Sequence, residues 1–169
     1  MIMRIIVNDA NILIDLISLK IIDLFLSLDY EFHTNDFIVN EISDKEQKVK
    51  LQQLVSEKKI LVYQSKPEDM AAIFSLQTGN LSFEDCSIWY YCQRVGGLLL
   101  TGDARLRKEI EKVKSFEVRG ILYVFDLLIE HEVISKEFAI KKLKELYQIN
   151  KRLPVNEIEK RINRWLKSP

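Results

Sequence analysis

Apolar residues fall along this chain in two rhythms. Short, nearly continuous apolar runs occupy residues 4–7, 31–34, 60–63 and 98–101, with a weaker one near 116–118. Runs of this length, rich in Ile, Val and Leu, read as buried strands. The segments between them carry apolar residues at helical spacing, over 12–28, 39–57, 68–76, 83–95, 104–113 and 120–130. Strand alternating with helix predicts an α/β fold of three layers, a mostly parallel central sheet of four to five strands with helices on both faces. Two further helices are expected at the C-terminal end. Ala139, Leu143, Leu146 and Tyr147 share one stripe, Ile158, Ile162, Trp165 and Leu166 another, and Pro154 separates them. The expected organisation is a main domain over 1–134 and a helical hairpin over 135–169 packed on it.

The composition narrows the class without changing this picture. Of 169 residues, 47% are apolar and 30% charged, the balance of an ordinary globular fold. A chain of this size can bury about 70% of the surface it exposes when unfolded, so it needs no disulfide or structural metal. Cys86 and Cys92 lie six residues apart in an expected helix, which turns their side chains to different faces and disfavours both a bridge and a zinc site. The apolar start, Met1 to Val7, ends at Asn8-Asp9 and reads as the first strand rather than a signal peptide. Residues 12–28 are interrupted by Asp15, Lys20 and Asp23 and fall short of a membrane span, so a cytoplasmic protein is expected.

Net charge is zero, which argues against a general nucleic-acid coat. The charge is unevenly placed, however: residues 136–169 hold ten Lys and Arg against four Asp and Glu. An acidic body with a basic tail suits a protein that gathers carboxylates in one place.

Four acids fall at positions where they could be gathered. Asp9 follows the first strand, Asp103 follows the fourth, Asp85 stands in the first turn of a helix and Glu41 one turn into another. Ligands of open parallel sheets bind beyond the carboxyl ends of the strands, and if the strands of Asp9 and Asp103 are neighbours their carboxylates meet there. Converging carboxylates repel, and a hard divalent cation such as Mg²⁺ or Mn²⁺ removes the penalty. Such an ion can bind a phosphate and make water nucleophilic. His33 and His131 are the only histidines, and neither has a nucleophile close in sequence. Each acid also has a plainer use. Asp9 and Asp103 could cap the helices opening at Ala10 and Ala104, Ser82 with Asp85 resembles a capping box, and Glu41 could be a solvated helix residue.

The order of these acids resembles the PIN (PilT N-terminus) domain family. Ile6-Val-Asn-Asp-Ala-Asn-Ile-Leu-Ile14 looks like its opening strand, Asp and Asn; Phe37-Ile-Val-Asn-Glu-Ile42 like the segment of its second acid; Leu81-Ser-Phe-Glu-Asp85 like the third; and Leu99-Leu-Thr-Gly-Asp-Ala-Arg-Leu106 like its closing strand, Thr and Asp. The stretch from Gly120 to Arg164, with Asn150-Lys-Arg-Leu-Pro154, resembles the longer helical tail of a VapC-like prokaryotic branch.

This resemblance implies a fold, a site and an activity. Asp9, Asp85, Asp103 and Glu41 would be catalytic and hold the ion. Asn11 would orient Asp9 or the substrate, Thr101 would support Asp103, and Glu84 is an alternative ligand beside Asp85, since neighbours on a helix diverge by about 100°. Ala10 departs from the family, which often has Thr or Ser there, and removes a hydroxyl that could strengthen metal binding. Asp15 reads as a helix-surface residue. Arg105, Arg107 and Lys108 could meet a phosphate, with Lys141, Lys142, Lys144, Lys151 and Arg152 as a second set; Trp89, Tyr90 and Tyr91 read as core or dimer contact. The implied activity is a Mg²⁺- or Mn²⁺-dependent endoribonuclease leaving a 5′-phosphate and a 3′-hydroxyl, the toxin of a toxin–antitoxin pair, with an RNA substrate, a small antitoxin and a homodimer as partners. The alternatives are a PIN-like RNA-binding or protein-interaction module without turnover and, more remotely, a phosphatase or flap nuclease. Asp9-Ala-Asn11 lacks the second carboxylate a phosphatase would want, and the chain lacks room for the helical clamp of a flap nuclease.

Overall fold

The computed structural model describes residues 3–169; Met1 and Ile2, the first part of the apolar start, lie outside the described residues. The chain runs β1 (Ile5–Asn8), α1 (Ala10–Ser18), α2 (Ile22–Phe25), β2 (Glu31–Asn35), α3 (Asp36–Glu41), α4 (Lys45–Ser56), β3 (Leu61–Tyr63), α5 (Asp69–Ser75), α6 (Phe83–Val95), β4 (Leu98–Leu100), α7 (Ala104–Val113), β5 (Val118–Arg119), α8 (Ile121–Glu130), α9 (Lys136–Ile149) and α10 (Val155–Lys167). The five strands form one sheet in the order β3-β2-β1-β4-β5. Every pairing is parallel. The expected three-layer α/β architecture is therefore the one observed.

The sheet is buried on both sides, which is why its strands are apolar without alternation. Val7, Leu99 and Leu100 are fully buried. One face carries α6, where Tyr91 stacks on both Tyr63 and His33. The other face carries α2, whose Phe25 meets Phe32 edge-on at 4.7 Å between ring centres. Beyond α2 lie α8 and the hairpin of α9 and α10, which contributes buried Ala139, Leu143, Leu146, Ile158 and Trp165. Arg161 and Arg164 of α10 both reach Asp126 of α8.

Two expected long helices are each divided. The 12–28 stretch breaks because Lys20 takes a left-handed conformation, φ 59°, which turns the chain so that Leu19 and Ile21 can both be buried. The 39–57 stretch breaks at Ile42, which is extended, and Asp44 restarts it by accepting the N–H of Gln47. Glu41 thus closes a short helix instead of standing one turn into a long one. By contrast, α6 has strong signals at both ends: the reciprocal Ser82–Asp85 box and Gly96, left-handed at φ 69°.

This topology fixes where a ligand can sit. Chain order reverses between β1 and β4, so the two strands leave a crevice beyond their carboxyl ends. Asn8 pairs with Leu100 in register, and the Asp9 N–H donates to the Leu100 carbonyl at 2.9 Å. Asp9 and the loop leading to Asp103 are therefore side by side.

Candidate functional site

Asp9 stands at the floor of the crevice, at the N-terminus of α1, and is buried. One carboxylate oxygen accepts the N–H of Ala10 at 2.8 Å and the other accepts the hydroxyl of Thr101 at 2.6 Å. The same Thr101 oxygen accepts the backbone N–H of Asp103 at 3.1 Å. A fully buried hydroxyl at the end of β4 therefore joins the acid of β1 to the acid of the following loop. Asn11 completes this side: its side-chain oxygen accepts the Gly102 N–H at 2.9 Å, pinning the loop that delivers Asp103. A side chain at Gly102 would crowd Asn11, with a Cβ only 3.3 Å from its amide. Asn11 thus positions the Asp103 loop, not the Asp9 carboxyl.

The second side is built on helices. Asn35 ends β2 and caps α3, accepting the Ile38 N–H at 2.9 Å, while its amide donates to Ser87 of α6 at 3.1 Å. That buried pair fixes α3, which ends in Glu41, against α6, which begins with Glu84 and Asp85. Asp85 spends one oxygen on the Ser82 N–H at 2.9 Å, closing its capping box.

Electrostatics connects the two sides. Burial, opposed by the bonds from Thr101 and Ala10 and reinforced by the charges of Asp85 and Asp103, pushes Asp9 from the ordinary 3.8 up to about 6. Glu41 is pushed to about 7 by loss of solvation and by Asp9, Glu84 and Asp85. Because Glu41 is an exposed residue, water weakens the solvation part of that shift, and the three neighbouring charges carry more of the weight. The sequence-predicted acids therefore do act on one another, although far apart along the chain. Glu84 and Asp85 both bear on Glu41, whereas of the two only Asp85 bears on Asp9.

The capping uses are real as well. Asp9, Asp85 and Asp103 each accept a backbone N–H at the start of a helix, Asp103 those of Arg105 and Leu106. Capping and clustering do not compete here, since three helices begin around one crevice. With the aspartates drawn onto these amides, no three His, Cys, Asp or Glu side chains among the described residues already stand close enough to hold a metal ion. The donor chemistry still fits one. The set is all oxygen, which suits Mg²⁺ or Mn²⁺, and a divalent charge would cancel the repulsion that raises Asp9 and Glu41.

The basic candidates divide. Arg105 is exposed, with its guanidinium 3.7 Å from Asp103, and Lys108 is exposed farther along α7. Arg107 is half-buried and turned toward Gly120. Asp15, half-buried, accepts the Asn150 amide at 3.0 Å and ties α1 to the turn between α9 and α10. Trp89 and Tyr91 are core residues, and Cys86 and Cys92 are buried free thiols. His33 is buried between Tyr91 and Glu31. Sequence reading missed Asn35 and the second bond of Thr101. An Asn at a strand-to-helix junction is a capping signal, but its partner Ser87 lies 52 residues away.

Compared with known proteins, residues 5–167 match the family model DUF3368, described as a PIN domain. Among solved structures, the chain is similar to a PilT N-terminus domain protein from the archaeon Sulfolobus solfataricus P2, with 15% identity and a TM-score of 0.44 over 71% of this chain and 89% of that one. It is also similar to VapBC2 from Rickettsia felis bound to a DNA fragment from their promoter, with 12% identity and a TM-score of 0.46 over 69% of this chain and 98% of that one. No curated protein matches the chain.

Proposed function

The chain belongs to the PIN-domain family, and from that premise we propose that it is a divalent-metal-dependent endoribonuclease, the toxin component of a toxin–antitoxin pair. The observation that carries this reading is the mutual elevation of Asp9 and Glu41 by acids from four separate segments, at the switch point of the sheet. Asp9, Asp85, Asp103 and Glu41 would hold Mg²⁺ or Mn²⁺, with Glu84 as an alternative donor. When bound, the ion supplies Lewis acidity toward a phosphodiester and makes water nucleophilic at neutral pH. The chain's own residues set the stage. Thr101 keeps Asp9 and Asp103 in one register, Asn11 holds the Gly102 turn, and Asn35 with Ser87 keeps α3 against α6. Arg105 and Lys108 line the approach from α7, where they can meet a backbone phosphate, whereas Arg107 is turned aside. The toxin assignment, with a small antitoxin and a homodimer as partners, rests on the resemblance of the acidic segments and of the Gly120–Arg164 tail.

Cleavage of a short unstructured RNA tests the reading. With Mg²⁺ or Mn²⁺, wild type is expected to cut it, and Asp103→Asn to lose at least about a hundredfold in rate. Full activity in Asp103→Asn overturns the assignment. One observation favours a second reading, a PIN-like binding module without turnover: every aspartate of the site is engaged with its own helix's backbone. That reading predicts RNA binding that survives removal of divalent ions, with no cleavage under any condition.

A further inference from the structure

Three phenylalanines from three helices meet at the surface beside the acids. Phe37 of α3 and Phe83 of α6 stand edge to face, 4.9 Å between ring centres, and Phe74 of α5 lies 5.2 Å from Phe83 at 52°. Phe74 is 59% exposed, and the other two are half-buried beneath it. An exposed aromatic cluster is a costly thing to leave in water, and it marks a place where something flat and apolar can land.

Its position says what. Phe37 is four residues before Glu41, on the same face of α3 and roughly 6 Å along the axis. Phe83 immediately precedes Glu84 and Asp85. The rings therefore border the acids on their α3–α6 side. We infer that Phe37, Phe74 and Phe83 form a nucleobase-stacking subsite that takes an unpaired base next to the phosphate being cut. The inference rests on the ribonuclease reading above.

A second copy of the chain fits the patch less well. Paired across a twofold axis, the rings would bring Glu41, Glu84 and Asp85 of both copies together, like charge against like. A single strongly exposed ring also offers little of the roughly 800 Å² per partner that a stable interface buries. A base needs only the face of a ring and carries no charge. Stacking is tolerant of sequence, so the subsite selects single-stranded RNA over duplex more strongly than one base over another.

Steady-state cleavage of a short unstructured RNA in Mg²⁺ reads this out, using Phe74→Ala, Phe74→Leu and Phe74→Trp. Phe74→Ala is expected to raise KM about tenfold with kcat little changed. Phe74→Trp should restore KM, and Phe74→Leu, apolar but without a π face, should not. An RNA series with one abasic position moved stepwise along the strand should contain a member that costs wild type the same factor and costs Phe74→Ala nothing further. The subsite is overturned if wild type cleaves and Phe74→Ala matches its KM, or if Leu rescues as well as Trp. It is overturned too if Phe74→Ala instead shifts the sedimentation of the protein, which would make the patch a contact between copies. If wild type itself fails to cleave, the ribonuclease reading falls, and the subsite with it.

Discussion

Two aspartates, Asp9 and Asp69, are buried to the same degree, each 4% exposed, and the protein treats them in opposite ways. Asp69, at the start of α5, accepts the hydroxyls of Tyr63 and Tyr90, the Lys66 N–H and the guanidinium of Arg94, three at 2.8 Å and the last at 3.2 Å. Burial works against its charge, but these donors outweigh it and hold the carboxyl below the ordinary range. Asp9 accepts only the Ala10 N–H and the Thr101 hydroxyl, faces Asp85 and Asp103, and is pushed up to about 6. Burial is common to both, so the neighbours decide the outcome. Asp69 has been given everything a carboxylate needs and fastens β3, α5 and α6 together. Asp9 has been left short of positive charge beside other acids, an arrangement that hinders folding and makes sense only if a cation completes it.

That contrast can be broken from either side. The largest expected effect on stability comes from Asp69→Ala, which strands two hydroxyls and an N–H in a part-buried network. Urea unfolding is expected to show a loss of about 2–3 kcal/mol, discounted because Arg94 is half exposed, with cleavage per folded molecule unchanged. Asp9→Asn should do the reverse: cleavage collapses while stability holds or rises.

A smaller effect is expected from Thr101→Val, which keeps the shape of the side chain and removes the link between Asp9 and Asp103. Activity should fall about 10–100-fold, the usual cost of losing a group that orients a ligand. A melting temperature that collapsed along with activity would instead make Thr101 a fold residue.

The smallest effect is on pH dependence, and its sign differs between the two aspartates. Asp9 has a folded pKa above its ordinary 3.8, so between about 4 and 6 the folded state keeps a proton that the unfolded state has lost. Its contribution to stability therefore falls as pH rises through that window and is flat above it. Without divalent ions, the stability difference between wild type and Asp9→Asn should drift by about 1–2 kcal/mol from pH 4 to pH 6.5. For Asp69, whose folded pKa is depressed, the stabilisation is full above 3.8 and is lost as pH falls below it. A wild-type minus Asp9→Asn difference that does not change with pH would remove the electrostatic part of the account.

How much of this could be read from the sequence depended on distance along the chain. The parallel sheet and the helices α6 and α7 were legible because apolar period and capping residues lie within a few positions of each other. The division at Lys20 was not, since a left-handed Lys leaves no mark that a Gly would. The acids Asp9, Glu41, Asp85 and Asp103 were legible as strand-end and helix-start residues, and the order of β1 beside β4 brings the first and last together. The contacts that give them meaning were hidden. Thr101 bonds to Asp9 across 92 residues and Asn35 to Ser87 across 52, and no local pattern encodes either. Asp69 drew no attention for the same reason: Arg94, which pairs with it, is 25 residues away.

The central claim is that Asp9 and its neighbours are incomplete without a divalent ion, and calorimetric titration with Mn²⁺ at neutral pH tests it most directly. The account predicts a saturable heat in wild type that weakens sharply in Asp9→Asn and in Asp103→Asn but survives in Asp69→Ala. Equal heats in wild type and Asp9→Asn, or none in wild type, would contradict it.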